Sequence, residues 1–296
     1  MLGIYGLGRM GFNMAQRLLD KKEKVVVFNR SKEKVDQLAK KGAVPSYSHE
    51  EFIKKLGRDK IIWLMVPHQT VDSVIKDFKP YLTKGDIIVD GGNSNFNSTI
   101  KRAKALEKEG LTLIDVGVSG GIVAAKEGYC MMSGGDEKAY KKLVPYIKKM
   151  CQKDGYGYFG KSGSGHFVKM VHNAIEYGMM EAIGEGMELL DKGPYKNLDL
   201  HQITKVWNNG SIVRSFLMEM TESGLEKHKG LKIPGYIADS GEGRWAVETA
   251  MQYNVPFTVN TQALFSRYRS RLKDSTSNKV VALMRDEFGG HGLGKK

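Results

Sequence analysis

Cysteine is scarce: Cys130 and Cys151 are the only two in 296 residues. Two thiols make no disulfide framework, and they lack the spacing of a zinc site. A reducing cytoplasm fits such usage. Long apolar runs are also missing. The longest, over 61–67, is far below the ~18 residues that would suggest a membrane span. The start, MLGIYGLGRMG, has no basic segment and no cleavage site, so it reads as the beginning of a fold and not as a signal peptide. There are no internal repeats and no low-complexity segments. His166, His172, His201 and His228 have no partners at ligand spacing, so no metal is expected. Acidic residues are the minority, 33 against 46 basic ones, for a net charge of +13. Nucleic-acid binding would concentrate the basic residues on one surface. Here they fall in scattered pairs such as Lys21-Lys22, Lys54-Lys55 and Lys148-Lys149. A positive field that steers small anions to a cleft is the better reading.

What is present is an alternation of short apolar strands and amphipathic helices. A strand over 2–5 runs at once into Gly6-Leu7-Gly8-Arg9-Met10-Gly11, and a helix follows to about residue 22. This is G-x-G-x-x-G in the strand–turn–helix context that dinucleotide binding requires. Gly6 permits the turn, Gly8 lets the backbone approach a pyrophosphate, and Gly11 lets the helix pack on the strand. A second strand, 24–28, ends in Asn29-Arg30-Ser31. An acid there would take the ribose 2′-hydroxyl of NAD, whereas arginine suits a 2′-phosphate. The expected coenzyme is therefore NADP. An ordinary surface arginine with NAD is the alternative.

Further strands are expected over 60–66, 86–90, 111–116, 127–133 and 155–159, with helices over 71–77, 100–109 and 139–150. That pattern predicts a mostly parallel, doubly wound Rossmann-type α/β domain. Ligands in such folds lie beyond the carboxyl ends of the strands. Asn93 and Ser119-Gly120-Gly121 stand at those ends, as do Val66 and Pro67, which join the expected coenzyme set. Ordinary turn chemistry would also explain these residues. The segment 161–165 is the best domain boundary, giving a dinucleotide domain over 1–162 and a helical domain over 163–296. No strand is expected after it. Helices are expected over 199–209, 213–223, 243–253, 256–272 and 277–286, and the tail 289–296 cannot be regular.

One helix, 163–190, stands apart. Lys169, His172, Asn173 and Glu176 sit at i, i+3, i+4 and i+7 and line one stripe. Phe167, Val168, Met170, Val171, Ala174, Ile175, Met179 and Met180 surround it, which predicts a buried helix. A self-satisfied Lys–Glu pair is the bland reading. An active-site face is the functional one.

GLGRMGxNMAxRL, FNRS, GVSGG, GHFVKMVHNAIEYG and the C-terminal Arg285-Asp286-Glu287-Phe288-Gly289-Gly290-His291 together resemble 6-phosphogluconate dehydrogenase (decarboxylating) along nearly the whole chain. The length resembles the family's short form. Such forms often use NAD, and Asn-Arg-Ser departs toward the NADP-using long forms. In long forms a Lys-Gly-Thr precedes Gly-Lys-Trp, and the lysine contacts substrate. Ser240 stands at that lysine's place here, a departure from the long forms that removes this contact from the expected set. The resemblance implies oxidation of 6-phosphogluconate at C3, loss of CO2 and formation of ribulose 5-phosphate. Lys169 would be the base and Glu176 the acid that protonates C1. Ser119, Gly120, Gly121, His172 and Asn173 would hold substrate, and Asn93 would touch substrate and coenzyme. Tyr177, Arg285 and His291 would bind phosphate, with one of Arg267, Arg269 and Arg271; Arg269 is the residue assigned. Because the tail of the family reaches a neighbouring subunit's site, a homodimer or homotetramer is implied. The rivals are a dehydrogenase for a small acid such as 3-hydroxyisobutyrate, which needs no phosphate site, and a non-catalytic NADP-binding regulator.

Overall fold

The structure, a computed structural model, describes residues 1–228, 231 and 233–289. It divides into two compact units, 1–172 and 173–296. The N-terminal unit runs β1 (Leu2–Tyr5), α1 (Arg9–Asp20), β2 (Val25–Phe28), α2 (Lys32–Ala39), β3 (Val44–Ser46), α3 (His49–Leu56), β4 (Ile61–Leu64), α4 (Val71–Phe78), β5 (Ile87–Asp90), α5 (Phe96–Glu107), β6 (Thr112–Ser119), α6 (Ala124–Glu127), β7 (Tyr129–Gly134), α7 (Glu137–Met150) and β8 (Cys151–Tyr158). It ends inside α8 (Ser164–Lys192).

The strands form one eight-stranded sheet in the order β3-β2-β1-β4-β5-β6-β7-β8. Its first six strands are parallel; β7 runs antiparallel to β6, and β8 follows β7. Every residue of β1, β2, β4 and β5 is buried. Such unbroken apolar runs are what strands covered on both faces require. Alternate side chains feed two cores. Leu2, Ile4, Val25, Val27 and Trp63 face one, and Tyr5, Val26, Phe28, Ile62 and Leu64 face the other. The chain leaves β1 toward β2 on one side and returns to β4 on the other. The ends of β1 and β4 therefore flank the topological switch point, where such sheets take ligands.

The stretch α2–β3–α3 is absent from the expected element set. The reason is physical: β3 has three residues, one of them Pro45, and each helix has only eight. Elements that short carry little periodic signal.

The second unit holds the rest of α8, then α9 (Leu200–Asn208), α10 (Phe216–Lys227), α11 (Glu242–Gln252), α12 (Thr258–Arg269) and α13 (Thr276–Gly289). Among its described residues there is no strand. Asp199 and Ser215 open α9 and α10 by accepting from the N–H groups of Gln202 and Met218, so each satisfies an otherwise orphaned donor. The expected boundary after residue 162 lies ten residues before the division seen, because the first turns of α8 pack into the sheet unit. Gly289 closes α13, and the remaining tail residues, 290–296, lie outside the described residues. No helix among the described residues is long and apolar enough to cross a membrane.

The expectation that α8 is buried holds for one face only. Met170, Ala174 and Tyr177 are buried, whereas Phe167, Ile175, Met179 and Met180 are exposed on the single chain. The apolar girdle is wider than one chain covers.

Candidate active site

The glycine turn has the geometry its sequence predicts. Gly6 has φ of +97°, and a Cβ there would lie 2.5 Å from the Met65 carbonyl oxygen. A Cβ on Gly11 would lie 2.0 Å from the Gly6 oxygen, so only glycine lets α1 start this close to the turn. Around Gly8 the space is open, with no atom within 4 Å of a built Cβ. Gly8 is also the N-cap of α1 and makes no side-chain cap, which leaves the first N–H groups of α1 without intrahelical acceptors. Open space before such donors suits a pyrophosphate, so these residues fit a dinucleotide. Leu7 N–H donates to Asn29 Oδ1 at 2.9 Å, which ties this turn to the end of β2. Arg9 and Arg30 are exposed, and Met10 is half-buried. Ser31 donates its hydroxyl to Glu33 at 2.7 Å, and that bond holds the Glu33 carboxyl below the usual range. Lys34, which the sequence reading passed over, donates to the Leu7 carbonyl at 2.9 Å. Val66 stands beside Gly6 and over Gly92, whose Cβ would meet the Val66 oxygen at 2.6 Å. Pro67 is exposed.

The turn after β5 is built on Asp90. This buried carboxylate accepts from Gly92 N–H at 3.2 Å and Ser94 Oγ at 2.7 Å. Asn93, exposed, sits between those two anchors. The turn after β6 carries Gly120 at φ +117° and Gly121 at φ +56°, conformations that favour glycine.

Asp115 fixes where α8 begins. It is fully buried on β6 and accepts from Gly163 N–H at 2.8 Å and His166 N–H at 2.9 Å. His166 is held in turn by Thr99, 2.8 Å from its Nδ1. Gly117, two residues on from Asp115, lies directly under Lys169: a Cβ there would be 2.3 Å from the Lys169 Cβ. Lys169 is 7% exposed. One turn later, His172 Nε2 and Ser119 Oγ are 3.1 Å apart. These contacts bring Ser119, Lys169 and His172 together at the carboxyl end of β6. Cys130 pairs in register with Ser119, and partial desolvation of its thiol raises the pKa while the Lys169 charge opposes this.

In the helical unit a second cluster forms. Asn173 Nδ2 donates to Glu242 Oε1 at 3.2 Å, and Ser240 Oγ donates to Glu242 Oε2 at 2.6 Å. Tyr177 packs on Gly243, where a Cβ would lie 2.8 Å from its ring. The Arg267 guanidinium covers the same ring at 3.5 Å from its centroid. Burial pushes the Tyr177 hydroxyl up in pKa, the Glu242 charge adds to this, and Arg267 opposes it. Glu176 follows Lys169 by seven residues on α8 and is half-buried.

Arg267, Arg269 and Arg271 differ in their surroundings. Arg269, the residue assigned from the sequence, is exposed. Arg267 is 8% exposed, lies over Tyr177 and donates to the Ala238 carbonyl. Arg271 pairs with Asp239 at 2.5 Å, and this bond holds the Asp239 carboxyl below its usual range. Residue 267 falls on the inner face of α12 and residue 269 on the outer. Arg285 is exposed on α13, and His291 lies outside the described residues. Among the described residues no group of three or more His, Cys, Asp or Glu could hold a metal ion.

Two family models match this chain. Residues 1–160 match the NAD binding domain of 6-phosphogluconate dehydrogenase, and residues 165–287 match the 6-phosphogluconate dehydrogenase C-terminal domain. The chain belongs to the 6-phosphogluconate dehydrogenase family. An NAD(+)-dependent, decarboxylating 6-phosphogluconate dehydrogenase of Haloferax volcanii is 41% identical over 299 residues, spanning 100% of this chain and 99% of its own. A decarboxylating 6-phosphogluconate dehydrogenase of Escherichia coli is 38% identical over 300 residues, spanning 95% of this chain but only 64% of its own length. The Plasmodium falciparum 6-phosphogluconate dehydrogenase, solved alone and with NADP+ or 6-phosphogluconate, superposes with a TM-score of 0.84 at 29% identity, over 97% of this chain and 64% of that one. Within this family the chain is thus a short member.

Asp115, Lys34, Glu242 and Arg267 are the residues that sequence reasoning left out or left unresolved. Only Arg267 had a usable signal, since arginines at alternate positions of one expected helix, 256–272, cannot share a face.

Proposed function

We propose that this chain oxidises 6-phosphogluconate at C3, releases CO2 and forms ribulose 5-phosphate, with a nicotinamide dinucleotide as oxidant. The observation that carries this reading is the stripe on α8. It sets a buried lysine, a serine-bonded imidazole, a carboxamide and a carboxylate at successive turns of a helix pinned by Asp115.

When bound, the nicotinamide supplies the hydride acceptor. Lys169 takes the proton of the 3-hydroxyl as the hydride leaves. At an ordinary pKa near 10.4, a lysine is neutral in roughly 1 molecule in 2,500 at pH 7. This step needs Lys169 in its neutral form, and Lys169 is nearly buried. Lys169 then carries the proton it has taken and donates a hydrogen bond to the new ketone. The electron pair left by departing CO2 flows toward that polarised carbonyl and gives an enediol. Glu176 lies about 10 Å further along the helix and protonates the carbon that held the carboxylate, which becomes C1 of the product, while Lys169 takes the enediol proton as the ketone forms. His172 with Ser119, and Asn173, hold the hydroxyl groups between. Tyr177 and Arg267 bind the phosphate, arginine through two parallel hydrogen bonds.

The coenzyme reading is NADP. No acid stands at the end of β2, Arg30 is exposed there, and Lys34 adds a second cation beside the turn. NAD is favoured by a different observation: the Glu33 carboxylate occupies the Ser31 hydroxyl, and the Haloferax relative is named NAD(+)-dependent. A homodimer or homotetramer is part of the proposal, supported by the exposed Ile175 and Met179 of α8 and Val259 and Phe265 of α12.

Steady-state assays with 6-phosphogluconate and 3-hydroxyisobutyrate, each with NADP and NAD, test this function. Reduction of NADP with the sugar acid and none with the smaller acid is expected. Turnover of 3-hydroxyisobutyrate with no response to 6-phosphogluconate would overturn the reading.

A further inference from the structure

Arg102 lies about two turns into α5, and its side chain is 9% exposed. A helical side chain leans toward the N-terminus of its own helix, which here is the turn after β5. The planar guanidinium reaches α4, the turn after β4 and the end of β5. Its Nε and Nη2 donate to the two carboxylate oxygens of Asp72, in the first turn of α4, at 2.6 and 3.0 Å. Nη2 also donates to the His68 carbonyl at 3.3 Å, in the turn that follows β4. Nη1 stands 3.6 Å from Oδ2 of Asp90, the last residue of β5. Asp90 is the buried carboxylate that accepts from Gly92 and Ser94 on either side of Asn93. Because β4 and β5 are parallel neighbours, both turns leave the carboxyl edge of the sheet side by side.

We infer that Arg102 is a positioning residue for the coenzyme, a clamp that sets the turn after β4 against the turn after β5. This rests on the proposed function only in that a nicotinamide dinucleotide lies on those turns. Val66 and Pro67 belong to the first turn and Asn93 to the second. The two already pack closely, since a Cβ on Gly92 would fall 2.6 Å from the Val66 oxygen. A shift of either turn therefore moves the surface that the coenzyme meets. An exposed ion pair contributes little. Here the arginine is nine-tenths buried and the bond is bidentate, which fixes orientation as well as charge. The bond to Arg102 holds the Asp72 carboxyl below its usual range, against the opposing effect of desolvation. A lysine at position 102 would keep the charge, but one ammonium cannot bond both Asp72 oxygens while reaching the His68 carbonyl and facing Asp90. A mere staple between α4 and α5 would affect stability and leave coenzyme affinity alone.

The test is calorimetric titration of the full chain with NADP and with NAD, beside melting temperature, for wild type, Arg102→Lys and Asp72→Asn. Arg102→Lys should raise the Kd of both coenzymes by about threefold to tenfold. The factor should be the same for the two, because the clamp sits on β4 and β5, with β1 between it and the β2 end that carries Arg30. Asp72→Asn, at an exposed side chain, should raise both Kd values by a smaller factor and leave the melting temperature close to wild type. Wild-type affinity for both coenzymes in Arg102→Lys overturns the inference. A loss confined to NADP also contradicts it, since that would be an effect of charge on the 2′-phosphate. If Arg102→Lys melts early or does not fold, Asp72→Asn decides, and unchanged affinity in that variant contradicts the clamp. Calorimetry needs no turnover. A wild type that binds coenzyme but is inert toward 6-phosphogluconate therefore overturns the proposed function and leaves the clamp to be decided by the Kd values. A wild type that binds neither coenzyme overturns both.

Discussion

At the end of β2 a guanidinium stands where an acid would exclude a 2′-phosphate. Arg30→Ala should therefore raise the KM for NADP at least tenfold, about 1.4 kcal/mol, and change the KM for NAD little. Equal effects on the two coenzymes would mean that Arg30 does not read the phosphate. This residue was legible because the G-x-G-x-x-G turn fixes where the second strand must end. Lys169, His172, Asn173 and Glu176 were legible by spacing alone, since helical periodicity puts them on one stripe. Asp115 and Glu242 were not. Asp115 holds N–H groups 48 and 51 residues downstream, and Glu242 holds an amide 69 residues upstream. Each is an ordinary acid until the fold makes its neighbours.

Among the elements, α8 was expected from its pattern, yet its orientation depends on contacts the pattern does not contain. Gly165 lies so close to the sheet that a Cβ would fall 2.4 Å from the Met132 carbonyl oxygen, and Gly117 makes room for Lys169 in the same way. Asp115 adds the cap. Asp115→Ala would forfeit that cap and so leave two buried N–H groups unpaired, at about 1–2 kcal/mol each. We expect urea denaturation to show a loss of about 2–4 kcal/mol, with kcat falling as Lys169 loses its fixed height over β6. A variant as stable as wild type would show that the cap does not anchor the helix. The parallel strands were readable because burial on both faces leaves a continuous apolar run. β3 was not, because three residues with a proline carry no such run.

For the whole molecule, the two units correspond to the two matched family models, and the sequence reading anticipated an α/β unit followed by helices. It did not anticipate how much of α8 one chain leaves uncovered, since periodicity reports an apolar face without saying which molecule covers it. The homo-oligomer proposed here would cover it. Sedimentation should give a mass about two or four times the 33.0 kDa of the chain; a monomer at micromolar concentration would remove that explanation. The central claim remains the division of work along α8, with Lys169 at C3 and Glu176 at C1. It is tested most directly by mixing the protein with NADP and 6-phosphogluconate and measuring reduced coenzyme and CO2 in parallel, for wild type and Glu176→Gln. One CO2 for each coenzyme reduced is expected from wild type, with decarboxylating turnover lost in the variant. Coenzyme reduction without CO2, or a Glu176→Gln variant that releases it at the wild-type rate, would contradict the account.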